Sequence, residues 1–329
     1  MTDTTKQRLG MRGFDDEFVD LPHYIRVITD RIWEGRRIDD IHRYYNDPCI
    51  VETPLGVSTA VADVIAGTQA TLKMFPDRRL LAEDIIVSGD DAGGYLSSHR
   101  IISPMTHLGD GNFGPATAKR VHARTIADCV CKDNRIIHEW LVRDHAAIAY
   151  AIGSTPRALA ARWLAERGGW NKPVAGAAPK GYVSAISASP IATRYATAIQ
   201  QFATRQHDAL GIGATYDEAV HQIAPGETHH YGQAELIAFW TALFSAFEVN
   251  EFVVEHLAEN TSTDRGIRVA LRWRAVARHV AIGDNGQRFG AATGRNVEIM
   301  GINHADVGGG KVLREWVLID EVALWMQVL

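Results

Sequence analysis

The sequence predicts a tandem of two α+β domains, and two observations support this prediction. The first is an internal repeat, since the segment "RIIHEWLVRD" (135–144) returns 176 residues later as "KVLREWVLID" (311–320). The second is the order of patterns within each copy, where apolar residues at helical spacing come first and period-two alternation follows. Helices followed by strands indicate an α+β domain rather than alternating strand–helix units.

The repeat extends through the whole unit. The segment "GPATAKRV" (114–121) matches "GAATGRNV" (290–297), again 176 residues apart. Earlier in the unit the offset falls to 172 and then to 171, as in the pairs Arg100 and Arg272, His107 and His279, Phe75 and Phe247, Pro54 and Pro225, and Tyr24 and Tyr195. An offset that changes only across predicted loops is typical of a diverged duplication, and two copies are too few for a solenoid.

The first copy opens with an amphipathic helix, whose apolar residues recur every three or four positions at Phe18, Leu21, Ile25, Ile28 and Ile32. Two further helices are predicted at "DDIHRYY" (39–45) and "VADVIAGTQATLKMF" (61–75). After Pro76 the alternation predicts four long strands: "RLLAEDIIVSG" (79–89), "GYLSSHRIISPMTHLG" (94–109), "KRVHARTIADCVCKDNRI" (119–136) and "IIHEWLVRDHAAIAYAIG" (136–153).

The second copy repeats this order, from "IATRYATAIQQFA" (191–203) to strands that run through "REWVLIDEVALWMQVL" (314–329). Between the copies, Thr155 can cap a short helix, and the Gly-, Ala- and Pro-rich segment 168–181 is typical of a linker. The predicted organisation is therefore a first domain over 15–153, a helix and linker over 154–189, and a diverged second domain over 190–329.

Composition and charge exclude several classes of function. A net charge of −5 over 329 residues argues against nucleic acid or an anionic membrane surface as the main partner. No run approaches the roughly 18 apolar residues of a membrane helix, and the N-terminus lacks the apolar core of a signal peptide. The three cysteines have no metal-type spacing and are predicted to be reduced thiols. These features together predict a cytoplasmic protein.

Four segments of the first copy resemble the SnoaL-like polyketide cyclase family of the nuclear transport factor 2-like superfamily. They are "RIWEGRRIDDIHRYYNDPCIVETPLG" (31–56), "MFPDRRL" (74–80), "THLGDGNFGPATAKRV" (106–121) and "IADCVCKDNRIIHEWLVRD" (126–144). The likeness covers nearly all of residues 15–153, and the second copy matches more loosely over about 190–329. The resemblance implies two cone-shaped α+β barrel domains, each a curved antiparallel sheet wrapped against helices with a ligand pocket at its mouth.

The resemblance also implies a catalytic acid/base at Asp128, which matches the acidic residue that performs an aldol ring closure in the family's cyclases. Period-two alternation places His122 and Arg124 on the same strand face as Asp128. If this face lines an apolar pocket, burial raises the pKa of Asp128, and His122 or Arg124 can donate a hydrogen bond to an enolate. The alternative is a solvent-facing strand that carries an ordinary ion pair.

Three further polar residues are candidate ligand contacts. His99 and His107 share a strand face, but eight residues of strand span about 26 Å, so the two histidines are not expected to bind one metal ion. Glu52 lies on a short strand that borders the pocket mouth in the family, although a lone acidic residue there is also compatible with simple solvation. No metal and no cofactor are expected, because dinucleotide and haem-attachment motifs are absent from the sequence.

The repeated E-W-x-x-x-D motif has a structural and a functional interpretation. Trp140 and Asp144 lie on one strand face and Glu139 on the other, so Trp140 and Asp144 are candidate pocket residues while Glu139 and Glu315 are assigned to the shared scaffold. The proposed acid does not recur, since His304 occupies the position of Asp128 in the second copy. We therefore expect the first copy to hold the main pocket.

Two functions of different kind follow from these observations. The first is a cofactor-free enzyme that performs an aldol cyclisation, isomerisation or dehydration on a small hydrophobic carbonyl compound. The second is a non-catalytic scaffold that binds a small molecule or a protein partner. In both cases the tandem is expected to form a pseudo-dimer within the chain, and association into a larger homo-oligomer is left open.

Overall fold

The computed structural model describes residues 11–172, 174, 182 and 184–329, and the rest of the predicted linker lies outside these residues. The first half contains α1 (Leu21–Thr29), a π-helical turn (Asp30–Glu34), a 3-10 turn (Ile38–Asp40), α2 (Ile41–Tyr44), β1 (Tyr45–Thr53), β2 (Gly56–Ser58), α3 (Val61–Met74), β3 (Leu81–Asp90), β4 (Gly94–Thr106), β5 (Arg120–Lys132), β6 (Arg135–Arg143), α4 (His145–Ile152) and α5 (Pro156–Arg167).

The second half repeats this order of elements. It contains α6 (Pro190–Ala203), α7 (Ala209–Thr215), β7 (Tyr216–Ala224), β8 (Thr228–Tyr231), α8 (Gly232–Ala246), β9 (Phe247–Ser262), β10 (Gly266–His279), a 3-10 turn (Asn285–Phe289), β11 (Asn296–Gly308), β12 (Lys311–Ile319) and α9 (Glu321–Val328). The predicted α+β class and tandem organisation are confirmed.

Each half builds one six-stranded sheet, and the two sheets have the same topology. The strand orders are β2-β1-β6-β5-β4-β3 and β8-β7-β12-β11-β10-β9. The expectation of wholly antiparallel sheets is wrong for one pair in each, since β1 runs parallel to β6 and β7 runs parallel to β12. Strands β3 to β6 follow one another along the chain and each pairs antiparallel with the next. Strand β1 is separated from β6 by a helix and four strands, so no hairpin turn fixes its direction.

The predicted final strand 136–153 is wrong in its second half. Strand β6 ends at Arg143, and the Asp144 side chain accepts a hydrogen bond from Ala147 N to cap α4. The same change occurs in the second domain, where Asp320 accepts from Val322 N and Ala323 N and caps α9. The aspartate shared by both copies of the E-W-x-x-x-D repeat is therefore a helix N-cap in both domains.

Each sheet has an inner face covered by its own helices and an outer face covered by the other domain. On the inner face of the first sheet, Ala127, Cys129 and Leu141 pack with α1. On the outer faces, apolar residues of both sheets form one cluster. The first sheet contributes Leu96, Ile126, Val130, Trp140 and Val142, and the second sheet contributes Met300, Ile302 and Leu318. The two domains thus pack through their sheets.

Two equivalent arginine–tryptophan contacts cross this interface. The Arg272 guanidinium lies 3.7 Å from the centroid of the Trp140 ring, and that of Arg100 lies 3.5 Å from the Trp316 ring. Cation–π contacts shielded from water contribute about 2 kcal/mol or more. The tryptophan of the repeated motif therefore holds the two domains together.

Candidate functional site

A cavity of about 60 Å³ lies on the inner face of the first sheet, beneath α1. Its walls are mainly apolar, and its polar groups converge from several elements: Tyr45, Arg78, His99, Thr125, Glu139 and Arg143. A buried water needs about 10–15 Å³, so the cavity has room for a compact ligand. We call this space the first-domain cavity. An apolar cavity with a few convergent ionisable groups is the usual form of a small-molecule site.

Strand alternation explains which side chains reach the first-domain cavity. Strand β5 directs Thr125, Ala127 and Cys129 inward, and β6 directs Glu139, Leu141 and Arg143 inward. The pairing register of β5 and β6 shifts between Val130 and Cys131, so this irregularity lies after Cys129 on β5 and before Glu139 on β6.

Glu139 is the carboxyl group of the cavity and is 7% exposed. Its Oε2 accepts a hydrogen bond from Tyr45 Oη at 3.3 Å. Burial raises the pKa of Glu139 above its ordinary value, and the positive charge of Arg143 only partly opposes this effect. A buried carboxyl of raised pKa is a competent general base or acid near neutral pH.

His99 reaches the same cavity from β4 and is 3% exposed. Burial and the neighbouring charge of Arg100 lower the pKa of His99 to about 3, so the imidazole is neutral at physiological pH. Its Nε2 has no hydrogen-bond partner among the residues that the structure describes. A neutral ring of this kind can donate to or accept from a bound ligand, depending on its tautomer.

Two arginines complete the polar set. Arg78, which is 6% exposed, enters from the loop before β3, and Arg143 enters from the end of β6. Burial and the nearby charge of Arg143 lower the pKa of Arg78 to about 9. Burial also lowers the pKa of Arg143, which Glu139 partly offsets. Arginine side chains are not deprotonated in proteins near neutral pH, so both groups are treated as cations.

The equivalent glutamate of the second domain has a different environment. Glu315 accepts hydrogen bonds from Tyr195 Oη at 2.7 Å, from Tyr216 Oη at 3.2 Å and from Gln222 Nε2 at 2.7 Å. In the first domain, the position of Gln222 is Val51, and Tyr24, at the position of Tyr195, donates to Asn134 O instead. Among the described residues, Glu139 therefore lacks the counterparts of two of the three donors that bond to Glu315.

Aromatic side chains fill the inner face of the second sheet where the first has space. Trp273 occupies the position of Ile101, is fully buried and donates to Asn303 Oδ1 at 3.0 Å. Its ring lies over Gly301, where an added Cβ would be only 2.2 Å away, and the first domain has Thr125 at this position. The positions of His99 and Arg143 are Leu271 and Ile319 in this domain.

The structure corrects the predicted position of Asp128. This residue lies on the outer sheet face, fully buried between the domains, and its Oδ2 accepts from Arg272 Nη1 at 2.5 Å. Burial raises the pKa of Asp128, as expected for a pocket acid, while Arg272 opposes the shift. The side chain does not line the first-domain cavity. The predicted alternation agrees with the structure, but this face of β5 lies against the second domain and neither faces solvent nor lines the first-domain cavity.

Three other candidates also lie away from the first-domain cavity. His122 is exposed near the start of β5. Arg124 donates hydrogen bonds to Glu83 in its own domain and to Glu227 across the domain boundary. Glu52 is buried on the outer side, where its Oε1 lies 2.8 Å from His138 Nε2.

His99 is the one predicted ligand contact that lines the first-domain cavity. The remaining candidates make contacts within the fold or across the domain interface. His107 Nδ1 lies 3.2 Å from Thr117 Oγ1, a contact repeated by His279 and Thr293 in the second domain. Trp140 lies under Arg272 in the interface. Asp144, besides capping α4, accepts hydrogen bonds from Gly226 N and Glu227 N of the other domain.

Sequence reasoning missed Glu139 as a cavity residue, along with Tyr45, Arg78 and Arg143. The available signal was the alternation Glu139, Leu141, Arg143, which places two charged groups on a face that must also carry apolar residues. The described residues contain no group of three or more His, Cys, Asp or Glu side chains arranged to hold a metal ion. Among these residues, no helix is both long and apolar enough to cross a membrane.

Parts of the chain are similar to several solved structures. IdmH from Streptomyces antibioticus is 18% identical, with 40% of this chain and 97% of that chain covered and a TM-score of 0.36. AclR from Streptomyces galilaeus is 18% identical, with coverages of 41% and 83% and a TM-score of 0.36. A SnoaL-like polyketide cyclase from Agrobacterium tumefaciens strain C58 is 18% identical, with coverages of 40% and 97% and a TM-score of 0.32.

Among functionally curated proteins no match is found. The sequence profile of the SnoaL-like polyketide cyclases, by contrast, matches this chain twice, over residues 24–152 and 193–328. These two matches cover most of the chain and coincide with the two sheets and their helices. The chain therefore belongs to the SnoaL-like polyketide cyclase family, as a tandem of two family domains.

Proposed function

We propose that the protein is a cofactor-free acid/base enzyme acting on a small carbonyl compound in the first-domain cavity, with Glu139 as the general base. The observation that carries this proposal is the placement of a buried carboxyl of raised pKa in an apolar cavity, beside hydrogen-bond donors. Strongly shifted carboxyl groups in cavities are typical of functional sites. This assignment replaces the predicted base Asp128, which is paired with Arg272 outside the cavity.

The proposed first step is removal of a proton from the carbon next to a carbonyl group. The C–H bond breaks, the proton moves to a Glu139 carboxylate oxygen, and the electron pair moves into the C–C–O system to form an enolate. His99 or Arg143 donates a hydrogen bond to the enolate oxygen. In a cyclisation, the enolate carbon attacks a second carbonyl group. In an isomerisation, the enolate takes the proton back from Glu139 at another carbon. In a dehydration, the enolate expels a hydroxyl group from the β-carbon, which leaves as water after it takes up a proton.

The second domain supports this function without sharing it. Its glutamate has three donors, and Trp273 occupies the space that a substrate would need. A buried residue with all its hydrogen bonds made is costly to disturb, so Glu315 is suited to a structural role. We propose that the second domain serves as a permanent partner for the outer face of the first sheet.

Binding without turnover is the second candidate function. It is favoured by the absence of the family's expected acid from the cavity, since Asp128 lies in the interface. A scaffold of this kind would bind the same ligands through Arg78, His99 and Arg143 and leave them unchanged.

Deuterium exchange into simple ketones tests the proposal without knowledge of the natural product. Proton NMR in D2O follows loss of the protons next to the carbonyl in compact ketones and keto acids, with wild type, Glu139→Gln and Glu315→Gln compared at equal concentration. We expect Glu139→Gln to slow exchange by about 10²–10⁴-fold, the usual contribution of a general base. Glu315→Gln is the matched control from the second domain and should retain exchange.

Two results would overturn the enzyme proposal. One is equal exchange by wild type and Glu139→Gln. The other is binding of a ketone by wild type with no exchange above the buffer rate, which would support the scaffold function. Circular dichroism of each variant separates lost catalysis from lost folding.

A further inference from the structure

The two arginines of the first-domain cavity are unusual because they are buried without a salt bridge among the described residues. Neither Arg78 nor Arg143 forms a salt bridge with a carboxylate among the described residues, and Arg143 Nε is buried with no hydrogen-bond partner. Glu139 affects Arg143 only through charge and not through a hydrogen bond. Buried arginines are normally paired, because an unpaired buried charge is costly.

The charge balance of the cavity favours an anion. Two guanidinium groups face one carboxyl group, and burial favours the neutral form of that carboxyl. His99 adds no positive charge, since its pKa of about 3 keeps it neutral. Glu34 acts on Arg78 and Asp320 on Arg143 through charge from outside the lining of this cavity, whereas within the lining two guanidinium groups outnumber one carboxyl group. A ligand carboxylate would supply the missing negative charge, and guanidinium groups bind carboxylates through two parallel hydrogen bonds.

The second domain provides an internal comparison. Where Trp273 fills the space, the positions of Arg78 and Arg143 are Asn250 and Ile319, so neither charge is present. The scaffold can thus be built without both arginines. Their presence coincides with the open cavity, which links them to a ligand rather than to the fold.

The arginines also mark where a larger ligand could extend. A second cavity of about 70 Å³ is bordered by both Arg78 and Arg143, with apolar walls from Phe75, Met105, Phe113 and Ile148. A third, of about 120 Å³, also borders Arg143. The guanidinium groups therefore stand between the first-domain cavity and neighbouring apolar space.

We infer that the natural ligand is a carboxylic acid, whose carboxylate is held by Arg78 and Arg143 while its carbonyl-bearing part faces Glu139. This inference rests on the proposed function for the location of the site, and it adds the chemical class of the substrate. The expected class is a keto acid, with any hydrophobic extension directed into the space beside Phe75 and Phe113.

Matched acid and amide pairs test this inference through binding alone. The probes are acetoacetate, levulinate and benzoylacetate, each compared with its primary amide, which has nearly the same shape and no charge. Ligand-detected NMR titration or calorimetry gives Kd for both members of each pair. We expect at least one acid to bind wild type at least ten-fold more tightly than its amide.

The variants take their residues from the second domain. Arg78→Asn and Arg143→Ile should each reduce the ratio of amide Kd to acid Kd to about one. Arg143→Lys should retain part of the preference, because Lys keeps the positive charge but cannot form two parallel hydrogen bonds to a carboxylate. Arg79→Asn is the neighbouring control, since Arg79 is exposed and paired with Glu34. It should leave the preference unchanged.

The outcomes separate this inference from the proposed enzyme activity. An acid preference that both arginine variants remove supports the inference, even if wild type shows no deuterium exchange and the catalytic proposal fails. Equal binding of acid and amide by wild type, a preference that survives in both variants, or no binding of any pair overturns it. Glu139→Gln should retain the acid preference, because it removes the base and leaves both guanidinium groups.

Discussion

At the scale of single residues, two glutamates at equivalent positions have different freedom. Glu315 accepts hydrogen bonds from two tyrosines and a glutamine, whereas Tyr45 is the one side-chain donor to Glu139 in the part of the chain that the structure describes. Duplication lets one copy of a buried residue lose its structural partners while the other preserves the scaffold. The released carboxyl is then available for chemistry, provided that the cavity around it remains open.

The raised pKa of Glu139 makes a prediction about stability. A carboxyl whose pKa is higher in the folded state binds its proton more tightly there, so its stabilising effect is complete below the unfolded pKa near 4.5. The effect is lost as pH rises through the folded pKa. We therefore expect Glu139→Gln to melt at a higher temperature than wild type at pH 8, with the difference disappearing near pH 4.

Thermal unfolding of wild type and Glu139→Gln between pH 4 and pH 8 measures this effect, at about 1–2 °C for each kcal/mol in a chain of 329 residues. Glu251→Gln, at an exposed position on β9, is the control and should show no trend. A difference that grows toward low pH would contradict the assigned direction of the shift.

The residues of the site were only partly predictable from sequence. Alternation places Glu139 and Trp140 on opposite faces of β6, and it places Asp128 and Arg124 on the same face of β5. Both assignments agree with the structure. Alternation does not say which face is covered by the chain's own helices and which by another domain. Both faces of this sheet are buried, so composition could not distinguish them, and the family resemblance favoured Asp128.

At the scale of secondary-structure elements, the strands and α3 were predictable because their periodicity is long. The change from β6 to α4 was missed because the apolar run after Asp144 continues the strand pattern without a glycine or proline. What ends the strand is the Asp144 cap, together with two backbone donors from the other domain. The second contribution is tertiary and cannot be read from local sequence.

The filled second domain suggests how to close the first-domain cavity while keeping its fold. The variant Ile101→Trp with Thr125→Gly and Ala127→Asn copies the packing of Trp273 over Gly301 with its hydrogen bond to Asn303. We expect this variant to fold with native circular dichroism and to lose the thermal shift produced by ligands that stabilise wild type. The test is differential scanning fluorimetry with and without the best-binding keto acid.

Ile101→Leu is the volume-conserving control for the filled variant and should keep ligand binding. If the folded triple variant were stabilised by the ligand as strongly as wild type, the ligand would have to bind elsewhere. That result would remove the first-domain cavity from the account.

At the scale of the whole molecule, the charged groups that first suggested catalysis serve to join the domains. Asp128 pairs with Arg272, which lies over Trp140, and Arg100 lies over Trp316 in the equivalent arrangement. Such contacts between two copies of one fold explain why the tryptophan recurs in the repeat. The equivalence of the two scaffolds was predictable from the repeat, while the asymmetry of their interiors depends on a few substitutions such as Ile101 and Trp273.

A crystal structure with the tightest-binding keto acid tests the central claim most directly, because it shows which of the two related domains holds the ligand. We expect electron density in the first-domain cavity alone, with the carboxylate within about 3 Å of Arg78 and Arg143 and the carbonyl-bearing part beside Glu139. Ligand density at the domain interface near Asp128, or on the inner face of the second sheet near Glu315, would contradict the account.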